Sequence, residues 1–274
     1  MSIPNSYLSN IQFLKLGGSL ITDKSRPQTA RLDVLERLAS EIAQAYHKHP
    51  DLSLVIGHGS GSFGHVPARH YGTRQGVESA EGWRGFAEVW QAAQILNRLV
   101  MDAMSAAGLP VVALSPLASV IAEDGRVARW ETEPLQRALQ AKLLPVIYGD
   151  VVFDRARGGT ILSTEDLFGS LANLLSPRRI LLAGIEEGVW EDYPACTRLV
   201  DEITPGNFAT ILPALGGSSG TDVTGGMASK VQLSLMLVQE NPSLEVLIFS
   251  GEPPGVLEQA LSGGAPGTLI RTKL

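Results

Sequence analysis

An α/β fold, with a mostly parallel sheet covered by helices, is the architecture this sequence predicts, and three observations carry the prediction. Short apolar runs of strand length recur at residues 11–16, 52–56, 110–114, 143–148, 180–183 and 244–249. Longer amphipathic stretches separate most of them, which is the spacing that parallel strands require of their crossovers. The first two runs end in glycine turns, the position at which an open α/β sheet binds ligands.

Composition bounds the rest. The 274 residues are 44% hydrophobic and 18% charged, enough for a sizeable core in one large domain or two lobes. A formal net charge of -6 argues against a general nucleic-acid binder, while a local group of lysines can still hold a small phosphorylated ligand. The single cysteine, Cys196, can form neither an internal disulfide nor a cysteine-rich zinc site, which fits a reducing compartment. The opening MSIPNSYLSN lacks the charged and apolar regions of a signal peptide, and no apolar run reaches membrane-spanning length. The expected location is therefore the cytoplasm, with no membrane partner.

Taken in order, the first run leads into Lys15-Leu16-Gly17-Gly18-Ser19, with Lys24 close behind. The second leads into GHGSGSFGH at 57–65, where glycines 57, 59, 61 and 64 let backbone N–H groups approach an anion. Its histidines, His58 and His65, can hydrogen-bond phosphate near neutral pH. Residues 83–107 place Phe86, Val89, Trp90, Ala93, Leu96, Val100, Ala103 and Met104 at helical spacing, and Gly108-Leu109-Pro110 stops that helix. Hairpins are expected at 120–130, turning at Glu123-Asp124-Gly125-Arg126, and at 151–162, turning around Gly158-Gly159. Residues 175–179 read as a seam between two lobes. A third glycine- and hydroxyl-rich loop, 216–227, leads into a helix carrying Lys230.

None of these loops matches the Walker pattern, and none matches GxGxxG with an acid about twenty residues on. A P-loop enzyme and a nicotinamide dehydrogenase are thereby disfavoured. The five histidines (47, 49, 58, 65, 70) show no zinc spacing, and no Ser-His-Asp set can be argued. Phosphoryl transfer, in contrast, needs positioning and charge stabilisation more than a covalent nucleophile, and three lysines with three glycine loops supply those parts. Taken singly each feature is ordinary: Lys15 reads as a strand-end charge, Lys230 as a helix-face charge, Asp166 as an early-turn acid favoured by the helix dipole. Phe86 and Trp90 read first as core, and His58 as a partner for loop backbone.

Together, KLGGSLITDK (15–24), GHGSGSFGH (57–65), PVIYGDVVFD (145–154), Ser163-Thr164-Glu165-Asp166, DVTGGMASK (222–230) and Gly267-Thr268-Leu269-Ile270 resemble the amino acid kinase superfamily, and within it the branch that phosphorylates isopentenyl phosphate. The resemblance covers almost the whole chain. It implies a three-layer αβα sandwich, an N-terminal lobe (1–176) for the phosphate acceptor and dimerisation, and a C-terminal lobe (177–274) for ATP. It also implies a homodimer, and Mg2+ arriving with the nucleotide. By position, Lys15 and Lys230 would hold the ATP phosphates, Lys24 would stabilise the transferring group, and Asp166 would orient the lysines. Gly17, Gly18 and Ser19 would touch the phosphate chain through backbone N–H groups, with Gly184 and Gly226 also on the ATP side. Gly59 and Ser60 would lie where donor and acceptor meet, His65 would read the acceptor's phosphate, and Gly149 and Asp150 would close the acceptor side.

Two departures from the superfamily pattern stand out: Gly59-Ser60-Gly61 where three glycines are usual, and Gly184-Ile185-Glu186-Glu187-Gly188-Val189-Trp190 where an aspartate-rich turn is usual. The alternatives are a kinase of the same superfamily acting on a carboxylate, a phosphonate or a nucleoside monophosphate, and a nucleotide-binding protein of the same fold without turnover.

Overall fold

The structure, a computed structural model, describes residues 10–215 and 226–272. The chain runs β1 (Ile11–Leu16), α1 (Gly18–Ile21), α2 (Leu32–Lys48), β2 (Ser53–His58), α3 (Gly61–Tyr71), α4 (Ala80–Ala106), β3 (Val111–Ala113) and α5 (Pro116–Ser119). It continues through β4 (Val120–Glu123), β5 (Arg126–Trp130), α6 (Glu133–Gln140), β6 (Leu144–Tyr148), β7 (Asp150–Asp154), β8 (Gly158–Leu162) and α7 (Thr164–Leu175). The last third is β9 (Arg179–Gly184), β10 (Glu202–Ile203), α8 (Phe208–Leu215), α9 (Gly226–Glu240), β11 (Glu245–Ser250), α10 (Val256–Leu261) and β12 (Thr268–Ile270).

An 8-stranded sheet in the order β10-β12-β11-β9-β1-β2-β6-β3 forms the centre. Every pairing in it is parallel except β11 with β12. All six predicted apolar runs lie on its strands, shifted by a residue or two at some ends. The edge strand β10 and its neighbour β12 were not foreseen, because runs of two and three residues are too short to show a period. The expected seam at 175–179 falls between α7 and β9, yet β9 pairs directly with β1, so the sheet is continuous across it.

Side chains alternate across a strand with period two, and β1 shows what that arranges. Ile11 and Phe13 belong to the core on one face of the sheet, with Leu167, Phe168 and Leu171 of α7 and Val231, Leu235 and Val238 of α9. Leu14 and Leu16 belong to the core on the other face, with Leu35 and Leu38 of α2, Leu96 and Val100 of α4, and Leu257 of α10. Helices on both faces make the αβα sandwich. Lys15 shares the face of Phe13, whose ring meets Phe168 of α7 at 5.0 Å, so its side chain is directed toward the start of that helix.

The two hairpins form where expected, but they join each other as a separate 4-stranded sheet, β5-β4-β7-β8, instead of extending the central one. In the second, Gly158 and Gly159 begin β8, and the turn proper is Arg155-Ala156-Arg157. Asp154 ties the two turns together by accepting from the backbone N–H groups of Asp124, Gly125, Ala156 and Arg157 at 2.7–3.1 Å. Burial opposes the charge on Asp154, but these four donors outweigh it and hold the pKa below the ordinary carboxylate value. Among the described residues no helix is long and apolar enough to cross a membrane.

Candidate active site

The chain order along the sheet reverses at β1: β2, β6 and β3 lie to one side, β9, β11 and β12 to the other. In an open α/β sheet such a reversal leaves a crevice outside the carboxyl ends of the strands, because the connections there part in opposite directions. The cleft of this protein sits at that place. Its walls include Lys15 near the end of β1 and Gly17 after it, Gly59 and Ser60 after β2, Gly149 after β6, Gly184 at the end of β9, and Phe249 near the end of β11.

The two glycine loops touch backbone to backbone. A Cβ added at Gly18 would lie 2.4 Å from the Gly61 nitrogen, and one added at Gly59 would lie 2.9 Å from the Gly18 nitrogen. Some of the N–H groups assigned to phosphate are already used: Gly17 donates to the Ala183 carbonyl at 2.8 Å, and Gly59 to the Leu16 carbonyl at 3.0 Å. The expectation for Gly17 is corrected accordingly, since its N–H stitches β1 to β9. Gly18, Ser19, Ser60 and Gly61 remain at helix starts, where N–H groups have no intrahelical acceptor. Ser60 in place of a third glycine is tolerated because its backbone is right-handed, φ -78 and ψ -17.

A buried ion pair links Lys15 to Glu165, and Lys230 of α9 adds a second ammonium to the field at that carboxylate. Burial alone would raise the Glu165 pKa; the two lysines reverse the sign and hold it low. The sequence reading gave this lysine-orienting position to Asp166. The structure instead commits Asp166 to a capping box: Asp166 N–H donates to Ser163 Oγ at 3.1 Å, and its Oδ2 accepts from Ser163 N–H at 2.8 Å. The spacing Ser163-x-x-Asp166 carried that information, because a Ser with an acid three residues on marks a helix start and spends the acid on backbone. Glu165, one residue earlier, is the acid left to face the lysines.

His65 and Ala68 of α3, Arg74, Val89 and Ala93 of α4, Asp150 and Ile161 line the cleft as well. Phe86 and Trp90 are not among the lining residues; Phe86 packs instead on Trp83 and Phe153, with ring centroids at 5.4 and 5.5 Å. Lys24 is not among the lining residues either; it is exposed on a turn closed by an Asp23 N–H bond to the Thr29 carbonyl at 2.9 Å. Residues 216–225 of the third glycine loop lie outside the described residues. Gly226 opens α9 with φ 68, and Met227 and Lys230 behind it reach the cleft wall. Glu186, Leu182 and Ile248 also line it, none of them singled out as a site residue from sequence. Arg74 was missed as well.

His58 lies beneath the glycine loop and not in it. Its ring stacks on Tyr148 at 5.2 Å, contacts the Gly59 carbonyl at 3.2 Å and meets Asn97 Oδ1 at 3.2 Å. Full burial pushes its pKa down to about 4, so it is neutral at pH 7.

Burial pushes the Asp150 pKa up from 3.8 to about 7, against hydrogen bonds from Val151 N–H and Ser115. A protonated Asp150 can donate to a phosphate oxygen that an ionised one would repel. An acid whose folded pKa exceeds its unfolded one favours the fold at low pH and opposes it as pH rises through the folded value. Asp150→Asn is therefore expected to match wild type in thermal unfolding below about pH 4 and to gain progressively on it up to about pH 7. A difference independent of pH would show that the carboxyl is not desolvated.

A cleft at the sheet's reversal point, two glycine turns in contact, and two lysines around one acid define a small-molecule phosphotransferase. The chain belongs to the amino acid kinase family, whose family model matches residues 10–250. Among its relatives, the isopentenyl phosphate kinase of Methanothermobacter thermautotrophicus is 36% identical, over 91% of this chain and 94% of that one. That of Methanocaldococcus jannaschii is 32% identical, over 95% of this chain and 98% of the relative. A solved structure of an isopentenyl phosphate kinase superposes with a TM-score of 0.80 at 33% identity, covering 95% of this chain and 100% of the other.

Proposed function

We propose that this protein transfers the γ-phosphoryl group of ATP to the phosphate of isopentenyl phosphate, giving isopentenyl diphosphate and ADP. The observation that carries the reading is the composition of one cleft, which Lys15, Glu165 and Lys230 line together with His65, Val89, Ala93 and Ile161. An acceptor phosphate oxygen attacks the γ-phosphorus in line, the bond to the β–γ bridging oxygen breaks, and its electron pair leaves with ADP. The attacking oxygen is already anionic at pH 7, so no general base is needed. What the residues supply is proximity and charge: Lys15 and Lys230 hold the donor phosphates, Glu165 fixes Lys15, and the Gly18 and Ser19 N–H groups cradle the chain.

Gly184 and Gly226 frame the nucleotide, and Gly59, Ser60, Gly149 and Asp150 frame the acceptor. In this reading residues 1–176 bind acceptor and form a homodimer, residues 177–274 bind ATP, and the enzyme works in the cytoplasm. Magnesium enters as part of the substrate MgATP and neutralises phosphate charge. Among the described residues no group of three or more His, Cys, Asp or Glu side chains is gathered to hold it independently.

Burying a five-carbon tail contributes only about 0.8 kcal/mol per CH₂, so contacts to the acceptor's phosphate dominate its affinity. A coupled ADP-release assay over isopentenyl and dimethylallyl phosphates, a carboxylate, a phosphonate and a nucleoside monophosphate tests the reading. The five-carbon phosphates are expected to turn over fastest, and His65→Ala to lower kcat/KM on isopentenyl phosphate roughly tenfold or more. Preference for a carboxylate, full activity of the His65 variant, or ATP binding without turnover across the panel would each overturn it.

A further inference from the structure

We propose that Arg74 is a second binding residue for the acceptor's phosphate, giving up its contact with Asp166 to the incoming anion; the proposal rests on the kinase reading above. Arg74 sits in the connection between α3, which carries His65, and α4, which carries Val89 and Ala93, and it lines the cleft with all three. Its main chain is pinned: the Arg74 carbonyl accepts from Thr160 Oγ1 at 2.9 Å and from Arg157 Nη1 at 3.5 Å.

The side chain is held far more loosely. Among the described residues the guanidinium makes one hydrogen bond, to Asp166 Oδ2 at 3.4 Å, and the side chain keeps 31% exposure. That same oxygen already accepts from Ser163 N–H at 2.8 Å and Ser163 Oγ at 2.7 Å, so the arginine is its weakest donor. Asp166 does not need Arg74, and most of the five guanidinium N–H donors remain for a ligand.

Charge supply at the acceptor end points the same way. A phosphate monoester brings a charge of about -1.5 to -2 at pH 7 and three acceptor oxygens, more than the ring N–H donors of one imidazole such as His65 can satisfy. Lys15 is occupied by Glu165, and Lys230 stands in the field of that same acid. Arg74 is the cation placed on the α3–α4 side, and its planar fork matches two phosphate oxygens at once.

Arg74→Ala and Arg74→Lys in the full chain test this. Acceptor KM is measured at saturating ATP, ATP KM at saturating isopentenyl phosphate, and unfolding temperature for each protein. Loss of a charge-assisted pair is expected to raise the acceptor KM of Arg74→Ala roughly 10- to 100-fold while ATP KM stays within about twofold. Arg74→Lys recovers part of the loss, since it keeps the charge without the fork. An unchanged acceptor KM in Arg74→Ala overturns the proposal, and so does a parallel shift of both KM values with the unfolding temperature. If the wild-type protein phosphorylates no phosphate monoester, the kinase reading fails by itself. Calorimetric binding of isopentenyl phosphate to wild type and Arg74→Ala without nucleotide then decides the role of Arg74: weaker binding by the variant upholds it, equal binding or none to either overturns it.

Discussion

Lys230→Ala is expected to lower kcat by about 10²–10³-fold while the protein still folds, because removing one preorganised charge from a transferring phosphoryl group costs that much. Lys15 is the less informative target. It is 9% exposed and paired with Glu165, so its removal would strand a buried carboxylate and reduce stability along with rate. In the Lys230 variant Glu165 keeps Lys15 as partner, and the loss falls on the chemistry. Single-turnover measurement separates the two readings of the drop: a slow chemical step at saturating MgATP supports the role, whereas a rate restored by more ATP would assign Lys230 to ground-state binding alone.

Gly18→Ala is expected to abolish most activity and to destabilise the fold as well. The added methyl would meet the Gly61 nitrogen at 2.4 Å and its Cα at 2.6 Å, both backbone atoms that cannot swing aside. Gly61, at a φ of +48, has Thr22 Oγ1 and the Gly18 carbonyl within 2.1 and 2.6 Å of where its own Cβ would stand, so there is little room for it to yield. Something must shift, and the start of α3, which carries His65, is what rests against the methyl. Overpacking of this kind costs about 1–3 kcal/mol, which lowers the unfolding temperature by several degrees in a chain of this size. Unfolding temperature and kcat/KM measured together check the result; a variant with wild-type values in both would mean that the loops part without consequence.

Much of this architecture was legible before any coordinates. Apolar runs separated by amphipathic stretches gave the parallel strands, since each strand buried on both faces must read as an apolar block. The long helix 83–107 appeared with its stop at Gly108 because periodicity and a positive-φ glycine are local properties. Contacts between segments far apart in sequence were not legible. That Glu165 instead of Asp166 meets Lys15 depends on which turn of α7 faces β1, and on Ser163 claiming Asp166 for a cap. Arg74 carries no motif; only the fold brings it opposite α7. Lys24, exposed on its turn, is not among the lining residues, and its part in charge stabilisation rests on its place in the motif alone. The hairpins were seen singly, but their union through Asp154 is a matter of tertiary geometry.

His58 and Asp150 have one more consequence when considered as a pair. The Gly149 N–H, between Tyr148 and Asp150, donates to the His58 carbonyl at 3.2 Å, so a base and an acid are buried on adjoining strand ends and burial works against the charge of each. His58, with its pKa lowered from 6.5 to about 4, contributes stability above pH 6.5 that drains away as pH falls through 4. Asp150 tilts the balance the opposite way, opposing the fold as pH climbs from 3.8 through about 7. The two slopes run against each other over nearly the same interval. The protein thus carries a counterweight, His58 beneath the anion cleft and Asp150 in its wall, which levels its response to mild acid.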